Sequence, residues 1–271
     1  MVTRSSRKKS GKKLGFFVLV LILFPLLGAA AFFYNLIKDL PSPERITERV
    51  VAESTKIFDR TGKVILYEIH GEEKRTVIPF EEIPEIVKQA TVAAEDINFY
   101  KHSGIDWRGI VRAALKNLAR GNIAQGGSTI TQQLVKNSLL GRERTLTRKA
   151  REIMLAIMLE SRYSKDEILN LYLNQIPYGS NAYGIEAAAE TYFSKKSSGL
   201  TLGEAALLAA LPKAPSYYSP YGSHKEDLLK RKDSIIDRMA SLGFIKKEET
   251  EKAKKENINF VNQKQNIKAP H

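Results

Sequence analysis

Residues 14–34 run for 21 positions without a charged side chain, and no other feature constrains the chain as strongly. As a helix rising about 1.5 Å per residue, such a stretch spans a hydrocarbon core of roughly 30 Å. A membrane anchor over residues 14–37 is therefore expected. Pro25 and Gly28 interrupt the run, which a helix in lipid tolerates, and Phe32, Phe33 and Tyr34 bring aromatic bulk to one interface. Six cations, Arg4, Arg7, Lys8, Lys9, Lys12 and Lys13, precede it. The positive-inside tendency then leaves the N-terminus in the cytoplasm and everything past residue 38 outside. A cleaved signal peptide is the rival reading, with Ala29-Ala30-Ala31 as a small-residue cleavage site. The apolar run is longer than the usual h-region of roughly 7–15 residues, which favours the anchor.

Composition narrows the rest. The chain has 271 residues, 43% hydrophobic and 27% charged, which is globular usage with length for one large or two small domains. The net charge is +13, but the six tail cations account for enough of it to leave +7 elsewhere. A nucleic-acid partner is accordingly not expected. Cysteine is absent, so disulfide scaffolds, thiolate metal sites and thiol nucleophiles are excluded, and packing alone must hold the fold.

The expected organisation is a basic cytoplasmic tail (1–13), the anchor (14–37), a stalk (38–53) containing Pro41 and Pro43, a β-hairpin element (54–80), a helical domain (81–245) and a charged C-terminal segment or linker (246–271). The hairpin reads from β-branched and aromatic runs at 56–58 and 64–69 around Asp59-Arg60-Thr61-Gly62-Lys63. From Glu81 helical periods dominate, starting near Pro84. Thr129-x-x-Gln132, Ser164-x-x-Glu167 and Thr201-x-x-Glu204 each match a capping box before an apolar run, and Leu211-Pro212 closes the last.

Three segments could carry chemistry. In Ala93-Ala94-Glu95-Asp96-Ile97-Asn98-Phe99-Tyr100-Lys101-His102-Ser103-Gly104, two acids and a histidine fall where a helical period ends. A carboxylate there can face a cleft and serve as a general base, with the apolar helix as a wall. Adjacent acids after a helix are more often solvated or capping, and His102 more often structural. In the second, 125–137, a glycine pair feeds a capped helix, leaving free amides near Ser128 that suit an anion. The spacing is not that of a Walker loop, a flexible turn is the plainer reading, and Lys136 lies about two turns in. In the third, Arg142, Arg144, Arg148, Lys149 and Arg151 precede Glu152 with Glu143 the one acid between them. This cluster suits a diphosphate. It equally suits ion pairs of Arg148 and Lys149 with Glu152 on a solvated face, worth only about 0.2–0.5 kcal/mol each. A fourth stretch, 107–120, alternates apolar residues with Arg108, Arg112, Lys116 and Arg120, the pattern of a helix lying on anionic headgroups or of a core helix with a basic outer face.

Together these segments resemble the peptidoglycan glycosyltransferase family, the polymerase module of class A penicillin-binding proteins and of monofunctional transglycosylases. The family's first motif reads Glu95-Asp96-x-x-Phe99-x-x-His102-x-Gly104, the second Gly127-Ser128-Thr129-Ile130-Thr131-Gln132-Gln133, and the third Arg148-Lys149-x-x-Glu152. The fourth reads Lys165-x-x-Ile168-Leu169-x-x-Tyr172-Leu173-Asn174, continuing through Tyr178-Gly179 and Tyr183-Gly184-Ile185-Glu186, and a weaker fifth reads Arg231-x-x-x-Ile235-Ile236-x-Arg238-Met239. The match covers roughly residues 54–245.

The resemblance implies a mainly α fold, a lysozyme-like bilobal glycosyltransferase with a small β-hairpin, on one N-terminal transmembrane helix. It implies lipid II and a growing lipid-linked glycan strand as substrates, at the bacterial inner membrane with the catalytic domain outside. Glu95 matches the general base and Glu152 the second catalytic glutamate. Lys149 and Arg148, with Lys136, Arg142, Arg144 and the helix end near Ser128, match positions for the leaving diphosphate. Asp96, Phe99, His102 and Gln133 line or brace the cleft, and Tyr172-Leu173 reads as core support. A divalent cation such as Mg2+ is left optional, as are further cell-wall synthesis proteins as partners. No transpeptidase sequence follows, the Ser-x-x-Lys matches fall only in the basic tail and Lys-Thr-Gly is absent, so penicillin binding is not expected. A membrane-anchored lysozyme-like hydrolase or lytic transglycosylase is the runner-up, and a scaffold that has lost turnover is the third reading.

Overall fold

The computed structural model describes residues 40–43, 45–48, 55–58, 60, 65–69, 74–120, 127–141, 143 and 145–261, with scattered positions between 16 and 38. The chain divides into two compact units, Met1–Ser42 with Glu143–Arg151 and Pro43–Arg142 with Glu152–His271. Most of the expected anchor, the tail 1–13 and residues 262–271 lie outside the described residues. Among the described residues no helix is long and apolar enough to cross a membrane. Phe16, Phe24 and Tyr34 are described, helical, and exposed at 67%, 78% and 68%.

The second unit opens with a short helix, α1 (Arg45–Glu48), whose Ile46 is buried and whose backbone accepts a bond from Gln175. The antiparallel hairpin follows as β1 (Thr55–Phe58) and β2 (Ile65–Ile69). The next strand departs from the expected boundaries. β3 (Lys74–Arg75) joins not the hairpin but a three-stranded sheet, lying parallel to β5 (Ala182–Tyr183), which pairs antiparallel with β4 (Pro177–Gly179). The loop between β4 and β5 is Ser180-Asn181, both at positive φ (49° and 61°). Two left-handed residues in succession give the tight turn whose twist suits paired strands.

Helices build the remainder: α2 (Glu85–Glu95), α3 (Trp107–Arg120), α4 (Ile130–Ser138), α5 (Leu146–Glu160), α6 (Lys165–Gln175), α7 (Ile185–Phe193), α8 (Leu202–Ala210), α9 (Lys225–Ser241) and α10 (Lys247–Lys255). The fold is thus mainly helical, as the sequence implies. α8 is buried at every position from Gly203 to Ala210, the signature of a helix apolar all round and enclosed on all sides. α2 and α9 pack on it and on each other, α2 through Val87, Ala90 and Ala93, α9 through Leu228, Ile235, Ile236 and Met239. α4 packs on α6. The charged C-terminal stretch is also docked as far as residue 261. Thr250 and Ala253 of α10 are buried, and the Val261 N–H donates to the Tyr192 carbonyl.

All three expected capping boxes form, at Thr129, Ser164 and Thr201. Thr201 starts the central helix, its Oγ1 accepting from Glu204 N–H while the Glu204 carboxylate accepts from Thr201 N–H. Thr201→Ala is expected to cost about 1 kcal/mol. A thermal melt should register this as a fall of about 2–4 °C; an unchanged midpoint would mean the cap contributes nothing to α8.

Candidate active site

Glu95 is the last residue of α2, where the run of buried Thr91, Val92, Ala93 and Ala94 ends. Its side chain is only 8% exposed and both carboxylate oxygens are engaged. Gln133 Nε2 of α4 donates to Oε2 at 2.7 Å, and Arg231 Nη2 of α9 donates to Oε1 at 2.9 Å in an ion pair. Gln133 is itself oriented, because the Tyr172 hydroxyl donates to its Oε1 at 3.2 Å. Tyr172 is therefore more than the core support expected of it. It is fully buried, and that burial, with the Glu95 charge adding, holds its phenol well above the usual range. Burial and then Glu95 do the same to Tyr178. Both phenols remain neutral hydroxyls.

The second acid of the pair does a different job. Asp96 Oδ2 meets His102 Nε2 at 3.0 Å and accepts the Ile130 N–H at 3.1 Å. This joins the end of α2 to the first turn of α4, where an anionic group is favoured. Thr129, the cap of α4, donates its hydroxyl to the Gly104 carbonyl at 2.8 Å. Gly104 sits at φ +86°, and a Cβ there would stand 3.0 Å from the Ala156 carbonyl oxygen. Only glycine meets both demands. Phe99 is fully buried, edge-on to His102 at 6.3 Å, with Lys165 Nζ 4.5 Å from its ring centre. Lys165 also pairs with Glu160, which takes the Thr131 hydroxyl. The first, second and fourth motifs are thus one bonded network.

Ser128 is half-buried beside the Thr129 cap, and Lys136 is exposed in the last turn of α4. Glu152 is 2% exposed on α5. Arg148 and Lys149, half-buried in the first turn of that helix, belong to the other unit, and each, like Glu152 and Ser128, has an interaction partner. Arg142 and Arg144 lie outside the described residues. Among the described residues no three His, Asp or Glu side chains gather closely enough to hold a metal ion, and Glu152 alone is short of an all-protein cage.

Three cations absent from the expected set surround Glu95: Arg231, Arg238 and Lys213. Burial, then Arg231, lower the Lys213 ammonium, with Glu95 opposing, and burial followed by Arg231 lowers the Arg238 guanidinium in the same way. A signal for the arginines existed. In α9, positions 228, 231, 235, 238 and 239 share one helical stripe, and arginine stands at 231 and 238 among Leu228, Ile235 and Met239. A cation at a core position needs a buried partner.

A helical domain with a carboxylate clamped at the end of a buried helix, braced by a capped second helix and a buried tyrosine, defines a class. The family model described as Transglycosylase matches residues 62–240, and the chain belongs to that family. Penicillin-binding protein 1A of Aquifex aeolicus (strain VF5) is 46% identical over 242 residues, covering 89% of this chain and 33% of that protein. Penicillin-binding protein 1A/1B of Bacillus subtilis (strain 168) is 44% identical over 252 residues, 92% of this chain and 27% of that one. A crystal structure of penicillin-binding protein 1A from Haemophilus influenzae matches 77% of this chain and 21% of that chain, at 26% identity and a TM-score of 0.44. The chain spans a third or less of the length of the relatives named here.

Proposed function

We propose that this chain is a peptidoglycan glycosyltransferase that polymerises lipid II into β-1,4-linked glycan strands. The observation that carries the reading is the Glu95 carboxylate, withdrawn from water at a helix end and fixed on both oxygens. It acts as general base, taking the proton from the 4-hydroxyl of the acceptor GlcNAc as that oxygen attacks the anomeric carbon of the donor strand's MurNAc. The new C–O bond forms on the face opposite the breaking bond to phosphate, which inverts α to β. Undecaprenyl diphosphate departs with the bonding electrons. Lys149 and Arg148, with Lys136, Arg142, Arg144 and the amide end near Ser128, neutralise the charge that develops on it. Asp96 and His102 hold the α4 end in place, with Phe99 packed against the histidine ring. Glu152 steers the cations.

We also place the domain outside the inner membrane on a single-pass anchor at 14–37. Support comes from the uncharged stretch and from α3, where Trp107, Val111 and Leu118 are exposed at 65%, 59% and 82% on a helix that also carries Arg108 and Arg112. Exposed apolar bulk interleaved with cations suits an anionic lipid surface. The deciding assay is incubation of the purified full chain with lipid II, read on a glycan-strand gel. Polymer formation with finished peptidoglycan left intact supports the proposal; cleavage of peptidoglycan without polymerisation would replace it with the hydrolase.

Lys149→Ala is expected to lower turnover by about 10²–10³-fold, the usual effect of removing one fixed donor to a developing anion. The melting midpoint should move by less than about 2 °C, since a half-buried lysine in a first turn adds little to packing. A loss of stability matching the loss of rate would reduce Lys149 to an ion-pair partner.

A further inference from the structure

Arg231 and Arg238 stand two turns apart on α9, and both reach the last turn of α2. Arg238 Nη1 donates to the Ala93 carbonyl at 2.8 Å and, more weakly, to Ala94 at 3.4 Å. A helix end leaves its final carbonyls without intrahelical partners, and here one guanidinium covers two of them. Arg231 takes the next residue, its Nη2 on Glu95 Oε1, while its Nε donates to the carbonyl of Ala210, the last residue of α8, at 3.1 Å. The Tyr218 ring lies beneath the same guanidinium, 5.6 Å from its centre. One planar group on α9 therefore ties the carboxylate at the end of α2 to the end of α8. Only arginine has the several fixed donors this requires; lysine offers a single point charge.

We propose that Arg231 is a positioning residue for Glu95: its fork, with the Gln133 amide on the other oxygen, holds the carboxylate in one orientation before the acceptor alcohol arrives. This rests on the reading of Glu95 as the base. A glutamate has three side-chain torsions, and a misplacement of about 1 Å at a reacting group costs on the order of 10²-fold in rate. Arg231 acts through Glu95 and not on the sugar, so its removal belongs in kcat and not in KM.

The experiment is steady-state polymerisation of lipid II by the full chain carrying Arg231→Gln, Arg231→Lys or Glu95→Gln, each with a thermal melt. Arg231→Gln is expected to lower kcat on the order of 100-fold with KM within about threefold, and tens of millimolar guanidinium ion should restore part of the rate. Arg231→Lys, keeping charge without the fork, should fall about tenfold in kcat. A KM that rises as kcat/KM falls would overturn the inference, because Arg231 would then bind substrate directly. So would an unimpaired Arg231→Gln beside an inactive Glu95→Gln. If Arg231→Gln does not fold, Arg231→Lys decides: folded with wild-type kcat overturns the proposal, folded with reduced kcat and unchanged KM supports it. A fully active Glu95→Gln removes the base assignment itself and this inference with it.

Discussion

Glu95→Gln should abolish nearly all polymerisation while leaving the protein folded. The expected fall in kcat is about 10²–10⁴-fold, the usual contribution of a positioned general base. Glutamine has nearly the same shape, and its amide oxygen can still accept from Arg231, so the ion pair becomes a hydrogen bond instead of a void. Its NH2 group then faces the NH2 group of Gln133, which Tyr172 orients through the opposite end of that amide. One poor contact at the rim of the core is a modest penalty, and the melting midpoint should stay within about 4 °C of the parent. What the variant lacks is a basic lone pair at the place where the alcohol proton must go. Full activity in a folded Glu95→Gln protein would defeat the mechanism.

The opposite pattern is expected at Asn174, in the same motif as Tyr172. Asn174 is 3% exposed and binds both backbone groups of Ile78, accepting from its N–H and donating to its carbonyl, each at 3.0 Å. It also donates to the Asn170 side chain at 2.8 Å. Residues 76–79 depend on this, for the connection after β3 has no regular pairing of its own. Asn174→Leu keeps the volume but strands two backbone groups of Ile78, at about 1–3 kcal/mol each. The midpoint should therefore drop by roughly 4–24 °C at about 2–4 °C per kcal/mol, while the fraction still folded turns over lipid II at close to the parental rate. A midpoint that barely moves would mean another donor and acceptor replace the asparagine. Glu95 and Asn174 then separate chemistry from architecture within one network.

The contacts around Glu95 that local sequence pattern could not supply share a cause. Gln133, Tyr172 and Arg231 lie 38, 77 and 136 positions from Glu95 along the chain, beyond the reach of any local periodicity. The resemblance supplied Gln133 as a cleft residue and left Arg231 in a weaker motif with no role. The stripe of α9 puts the two arginines at core positions, but only the packing of α2 supplies the groups they pair with. Spacing leaves Asp96 either solvated or capping a turn, and the resemblance has it line or brace the cleft; it is buried and bonded to His102 and to Ile130. Adjacent residues at a helix end point in different directions, so the two acids part company there.

What the amino-acid order determined alone is the local chemistry. The capping boxes at Thr129, Ser164 and Thr201 need only a hydroxyl and a carboxyl or amide three residues apart, and all of them form. The β1–β2 hairpin and the start of α2 after Pro84 depend on equally short-range rules, and the family follows from motifs preserved in order. Tertiary packing decided which carboxylate is clamped, that β3 pairs with β5 instead of extending the hairpin, and that residues 246–261 dock on the helical core. Those outcomes turn on burying a polar group only where a partner arrives from a distant element, and a partner's arrival is a property of the assembled helices.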